Sequence, residues 1–171
     1  AGAEAFVKEN SIESGTGYYS VIISKKDSSI KTVDDMQDQE FAFVDPGSTS
    51  GFRVPMYSMC TILEIDPTTY FKRTTFAGTH ENVILGVSNG TIAVGATNDL
   101  SIKSAADKGQ IKGLEEDFNI VYKSDLIPAS PVAIRGDLPE TLKAEIKQAF
   151  LEFDDKEFFE RIGLAGWVEA T

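Results

Sequence analysis

The chain has 171 residues, 42% hydrophobic and 25% charged, a globular composition long enough for one ordinary domain or two small lobes. A formal net charge of -11 argues against nucleic acid or an anionic membrane as partner, because neither is drawn to such a surface. No apolar run reaches membrane-spanning length, and the single cysteine, Cys60, excludes an internal disulfide and a cysteine-based metal cluster.

The segment Ala1 to Phe6 has neither a basic region nor an apolar core, so no signal peptide is visible; an export signal would lie outside this sequence. Tyr18-Tyr19-Ser20-Val21-Ile22-Ile23, aromatic and β-branched, predicts a strand. A polar turn at Lys25–Ser29 leads to a short capped helix over Thr32–Met36. Phe41 to Val44 predicts a buried strand, and Phe52 to Ile65 a helix bent or restricted near its start by Pro55. Cys60 is expected on the apolar face of that helix as a small core residue. Asp66-Pro67 ends it, and Lys72–Phe76 predicts a strand. His80–Ser88 has helical spacing, with Asn89-Gly90 as a left-handed stop. Strands are predicted at Thr91–Ala96, Asn119–Tyr122 and Pro131–Ile134, with a polar helix and loop over Ser101–Gly113. Leu142, Ile146, Ala149, Phe150 and Phe153 mark an amphipathic helix over Leu138–Phe153, and a shorter helix from Asp155 ends at Gly163. The acidic pairs Asp34-Asp35, Glu115-Glu116 and Asp154-Asp155 read as solvated faces and helix starts. Alternating strands and helices predict an α/β fold with a largely parallel sheet.

Asp45-Pro46-Gly47-Ser48-Thr49-Ser50-Gly51 carries the chemistry. Pro46 cannot donate to a ladder and holds Asp45 extended, so the strand stops there. Gly47 permits a sharp turn, and Ser48, Thr49 and Ser50 are all helix-capping types. A strand that hands over to a helix in this way aims several main-chain N–H groups at one spot. Unpaired donors and the helix dipole attract a phosphate-like anion there, and hydroxyls can rotate to suit it. Overall acidity does not forbid this, since distant surface charge is screened over about 8–10 Å. Such sites lie beyond the carboxyl ends of strands in open α/β sheets.

Four stretches, in this order, carry a family resemblance: Gly17-Tyr18-Tyr19-Ser20-Val21; Asp45 to Gly51 with Pro55; Ala77-Gly78-Thr79-His80-Glu81-Asn82 with the Asn89-Gly90 stop; and Leu126-Ile127-Pro128-Ala129-Ser130-Pro131-Val132. The chain resembles the phosphonate- and phosphite-binding proteins of bacterial ABC importers, which are similar to type II periplasmic binding proteins. The resemblance implies one complete α/β lobe over residues 24–125. Residues 1–23 are then a partial first lobe with a crossing strand, and 126–171 the return crossing and C-terminal helices of that lobe. It implies ligand contacts from Tyr18, Ser48, Thr49, Ser50, Gly51, His80 and Asp99, with no metal or cofactor. The anion is expected to meet the N–H groups of Thr49, Ser50 and Gly51, and a protonated His80. An acid near Asp99 holds the ammonium group in amine-bearing phosphonate binders, but the local spacing here differs. Ser130 is a neutral hydroxyl where such members can carry an acid, which weakens the case for 2-aminoethylphosphonate. The implied partners are a small phosphonate, methylphosphonate or phosphite and an ABC permease, outside the cytoplasmic membrane as a periplasmic or lipid-anchored protein. Exposed faces of the partial lobe predict a homodimer or swapped assembly.

Without the resemblance, Ser48 to Ser50 are a helix cap, His80 a cap or surface residue, Tyr18 strand packing and Asp99 a solvated acid. Two other functions stay open. A Ser/His hydrolase is one, although Gly47 to Gly51 puts Thr49 where a nucleophile elbow needs serine. A sensory ligand-binding domain of the same fold is the other.

Overall fold

The computed structural model describes residues 2–170 except Glu13. The chain forms two compact units, Ala1–Tyr18 with Pro128–Thr171, and Tyr19–Ile127. The boundary thus precedes the strand Ser20–Lys25, which belongs wholly to the second unit, whereas the sequence reading carried the first lobe through Ile23. The reason is packing: Val21, Ile22 and Ile23 are at most 1% exposed, inside the second unit's core.

That unit is built on a five-stranded sheet in the order Arg73–Phe76, Glu40–Phe43, Val94–Asn98, Ser20–Lys25, Phe118–Lys123. The first three strands run parallel and the last two pairings are antiparallel, so the sheet is mixed. Ser20–Lys25 is covered on both faces, which is why it reads as an apolar run rather than an alternation. Ile22 packs with Phe41, Phe43, Met59 and Val94 on one side. Val21 and Ile23 pack with Val44, Val83, Ile84, Val87 and Ile102 on the other.

The helix after the Asp45–Gly51 turn runs over residues 49–62 and is wide at both ends, with Arg53 N–H donating to the Ser48 carbonyl and Leu63 N–H to that of Ser58. Pro55 explains the first widening. It has no N–H for the Gly51 carbonyl four residues back, and its ring crowds that carbonyl. The freed Gly51 carbonyl instead accepts Val44 N–H at 3.1 Å, tying the helix to the end of the strand. The buried stripe of this helix is Gly51, Pro55, Ser58 and Met59, which turns Cys60 outward. Cys60 is exposed, which corrects the expected core position.

Thr79 caps the helix His80–Asn89 by accepting Asn82 N–H at 3.1 Å, and Gly90 ends it at φ 82°. The next strand begins at Val94 and not at Thr91. Ile92 N–H and the Thr91 hydroxyl both bond back to the Gly86 carbonyl, so these residues finish the helix instead of starting the strand.

In the other unit Ala3–Ser11 is the middle strand of an antiparallel sheet, flanked by Leu164–Glu169 and Pro131–Arg135. Phe150, from the helix Glu140–Glu152, meets Phe6 edge-on at 5.1 Å and Trp167 at 5.4 Å. The helix Lys156–Ile162 is capped by Asp155 at one end and by Gly163 at φ 74° at the other. Among the described residues no helix is long and apolar enough to cross a membrane.

Candidate functional site

The Asp45–Gly51 turn lies at the carboxyl end of Glu40–Phe43, beside its parallel neighbour Val94–Asn98. The Asp45 carboxylate accepts Gly47 N–H at 2.7 Å, closing the turn that its sequence signalled. Ser48, with extended φ and ψ, is the cap residue, and its Oγ accepts Gly51 N–H at 3.0 Å. The opening N–H groups of a helix have no partner in a preceding turn. Gly51 spends its own on Ser48, so the donors of this turn that remain for a ligand are those of Thr49 and Ser50. Gly51 contributes space instead. A methyl group there would stand 2.5 Å from Val44 Cβ and 2.8 Å from Ser48 Oγ.

His80, first residue of its helix, is half-buried and reaches the same turn. Its Nε2 is 3.4 Å from Ser48 Oγ and its Nδ1 is 3.0 Å from Thr97 Oγ1. Burial pushes the imidazole below the ordinary histidine value, and the negative field of Asp45 opposes that only in part. The unliganded site therefore favours neutral His80, where the sequence reading expected the protonated form.

Asn98 joins the parts. Its Oδ1 accepts Ser101 N–H at 2.7 Å, capping the helix Asp99–Asp107. Its Nδ2 is 3.2 Å from Ser50 Oγ and 3.2 Å from His80 Nε2. Ser50, 2% exposed, is held from the other side by the Ser20 hydroxyl, which donates to its carbonyl at 2.7 Å. Ser20 and Asn98 face each other across paired strands, so strand register sets the turn.

Ser48, Thr49, Ser50, Gly51 and His80 thus converge. Asp99 is adjacent in sequence, but its Oδ1 accepts Tyr19 N–H and Leu100 N–H, each at 3.0 Å, and holds the start of a helix to the entry of Ser20–Lys25. Tyr18 is half-buried and belongs to the other unit. Thr97 and Asn98 were not foreseen. Their signal was two polar residues at the end of an apolar strand, hidden because the strand was ended two residues early, at Ala96.

The arrangement suits oxyanion binding better than nucleophilic catalysis. His80 Nδ1 meets a threonine hydroxyl where an activated serine needs an orienting acid, and the Ser50 hydroxyl is enclosed. Among the described residues no group of histidine, cysteine and carboxylates could hold a metal.

Residues 1–171 match the family described as ABC transporter, phosphonate, periplasmic substrate-binding protein. The phosphonates-binding periplasmic protein of Escherichia coli (strain K12) is 34% identical, over 96% of this chain and 50% of that protein. The phosphate-import protein PhnD of Mycolicibacterium smegmatis is 30% identical, over 86% of this chain and 47% of that protein. The crystal structure of a binding-protein component of an ABC phosphonate transporter from Pseudomonas aeruginosa superposes with a TM-score of 0.77 at 27% identity, covering 98% of this chain and 57% of that one. This chain therefore spans about half the length of the curated relatives it matches. The Escherichia coli and Pseudomonas aeruginosa proteins are substrate-binding components, not enzymes, and the fold is that of type II periplasmic binding proteins. The chain belongs to the phosphonate family of periplasmic substrate-binding proteins of ABC transporters.

Proposed function

We propose that this chain carries the anion-binding part of a periplasmic or lipid-anchored solute-binding protein, which takes a small phosphorus oxyanion and presents it to an ABC permease. The observation that carries the reading is the strand-to-helix turn itself, where Ser48 caps the helix that opens at Thr49 and its Oγ lies 3.4 Å from His80 Nε2. Phosphonate, methylphosphonate and phosphite fit this chemistry. Phosphate joins them, since one relative is named for phosphate import. The engaged Asp99 carboxylate favours ligands without a cationic arm. Calorimetry of the chain against phosphite, methylphosphonate, phosphate and 2-aminoethylphosphonate tests this, with the last expected to bind worst. Ser48→Ala removes a charge-assisted hydrogen bond of roughly 1.5–3 kcal/mol and is expected to weaken binding roughly 10–150-fold. No heat of binding from any of the four acids would overturn the proposal.

We also propose that the chain self-associates through the unit of residues 1–18 and 128–171. Ile12, Leu142, Phe153 and Ile162 of this unit are 40–57% exposed, and the amphipathic helix Glu140–Glu152 has no fully buried residue. A second copy can cover such a face. Sedimentation equilibrium is expected to give a dimer mass, and a monomer at tens of micromolar chain would refute it.

A further inference from the structure

The strand Ser20–Lys25 opens on a serine, although the three residues after it, Val21, Ile22 and Ile23, are apolar core. Ser20 is buried with them, and its hydroxyl donates to the Ser50 carbonyl at 2.7 Å. A carbonyl oxygen only accepts, so the direction of this bond is fixed. The helix over 49–62 leaves that carbonyl without a donor of its own. Three N–H groups of a helix can reach a carbonyl, those three, four or five residues further on. Arg53 N–H goes to the Ser48 carbonyl and Val54 N–H to that of Thr49. The third position is Pro55, which has no N–H. Ser50 is buried, so bulk water is no substitute, and Ser20 supplies the donor from outside the helix. Ser20 is itself fixed independently of the turn. It pairs with Asn98 in the sheet, its N–H donates to Ser124 Oγ at 3.1 Å, and its carbonyl accepts Ser124 N–H at 3.0 Å.

We propose that Ser20 is a positioning residue of the anion site: its hydroxyl stands in for the N–H that Pro55 lacks, holds the start of the helix in its wide register, and so sets where Ser48 and Ser50 meet the oxyanion. This rests on the reading of the Ser48–Gly51 turn as the ligand site. Without the Ser20 hydroxyl a buried carbonyl has no partner, a state that folded chains avoid by rearranging. The nearest remedy is an α-helical register, in which Val54 N–H turns from the Thr49 carbonyl to that of Ser50. That rewinds the first turn, and Ser48 Oγ, 3.4 Å from His80 Nε2, moves with it. A turn tied to a strand through Ser20 is held in place before the ligand arrives, which lowers the cost of binding.

The test is a double-mutant cycle in the 171-residue chain, read by calorimetry with each of the four acids named above. Ser20→Ala is expected to weaken binding roughly tenfold. Pro55→Ala alone is expected to change affinity less than about threefold, because Ser20 still serves the Ser50 carbonyl. Combined with Ser20→Ala, it returns an N–H at position 55 and is expected to bring affinity back to within about threefold of the native sequence. Ser24 is the control. It lies roughly 13 Å along the same strand, is buried, and donates to the Ile30 carbonyl. Ser24→Ala is expected to lower the urea midpoint while leaving affinity within about twofold, which separates positioning from general destabilisation. If Ser20→Ala alone does not fold, Ser20→Cys, a weaker donor of similar size, is read in the same cycle. Undiminished binding by the Ser20 variant, a loss that Pro55→Ala does not rescue, or an equal loss in Ser24→Ala overturns this proposal and leaves the anion site standing. No binding of any of the four acids by the native sequence overturns it together with the functional reading.

Discussion

Gly51→Ala is expected to abolish oxyanion binding and to destabilise the unit of residues 19–127 by about 3 kcal/mol, the upper part of the range for overpacking. The added methyl meets the Val44 side chain and Ser48 Oγ at distances no real carbon adopts, and neither neighbour can retreat. Val44 is 2% exposed in the core beneath the turn. Ser48 Oγ is held by the very N–H of residue 51 that it caps. Relief requires the turn to lift, which stretches the bond from Val44 N–H to the Gly51 carbonyl and moves Ser48 Oγ away from His80. Gly47→Ala is the comparison. Its methyl meets only Asp45 Oδ1, at 3.1 Å, an exposed contact that can give, and the expected cost is below about 1 kcal/mol. Urea titration followed by far-ultraviolet circular dichroism, with methylphosphonate calorimetry on each variant, measures both effects. A Gly51→Ala chain with an unchanged midpoint and intact binding would show that the turn does not depend on this close approach.

What could be read from the sequence here is what local chemistry determines. Asp45-Pro46-Gly47 predicted its turn because a ring without a donor and a residue without a side chain act over a few bonds. Thr79 and Gly90 bracketed their helix for the same reason. What escaped depends on pairing across the fold. Asn98 comes to face Ser20 and to meet Ser50 and His80 only when Val94–Asn98 lies beside Ser20–Lys25, and nothing within residues 91–98 specifies that register. Strand direction is equally silent, since Ser20–Lys25 runs antiparallel to both neighbours although its apolar run suits a parallel sheet. The strand Ala3–Ser11, with Glu4, Lys8, Glu9 and Asn10, has no clean alternation and is set by the strands on its two sides. The wide first turn of the helix over 49–62 needed both Pro55, which was visible, and the demand of Val44 N–H for an acceptor, which was not.

Asn98→Asp separates the fold from the site more sharply than any other single change. Aspartate keeps Oδ1 on Ser101 N–H and suits a helix start at least as well as asparagine, so stability at neutral pH is expected to stay within about 1 kcal/mol. The Nδ2 donor becomes a negative oxygen beside Ser50 Oγ and His80 Nε2, where the bound anion is proposed to sit. Like charges about 4 Å apart repel by ~4 kcal/mol at an effective dielectric of ~20, and protonation of His80 offsets part of this, so methylphosphonate affinity is expected to fall at least about hundredfold. The same carboxylate also changes how stability depends on pH. In the native sequence burial holds His80 below 6.5, so the unfolded chain binds a proton there that the folded chain refuses. Stability therefore declines as pH falls through 6.5 toward the folded value. The negative oxygen that Asn98→Asp introduces raises the folded value of His80, and that acid-side decline is expected to shrink or reverse. Histidine NMR titration, urea midpoints between about pH 5 and 8, and calorimetry give the three readouts on one variant. Binding within about threefold of the native sequence would place the ligand away from this asparagine, because a charge this close cannot be ignored by an anion sharing its pocket.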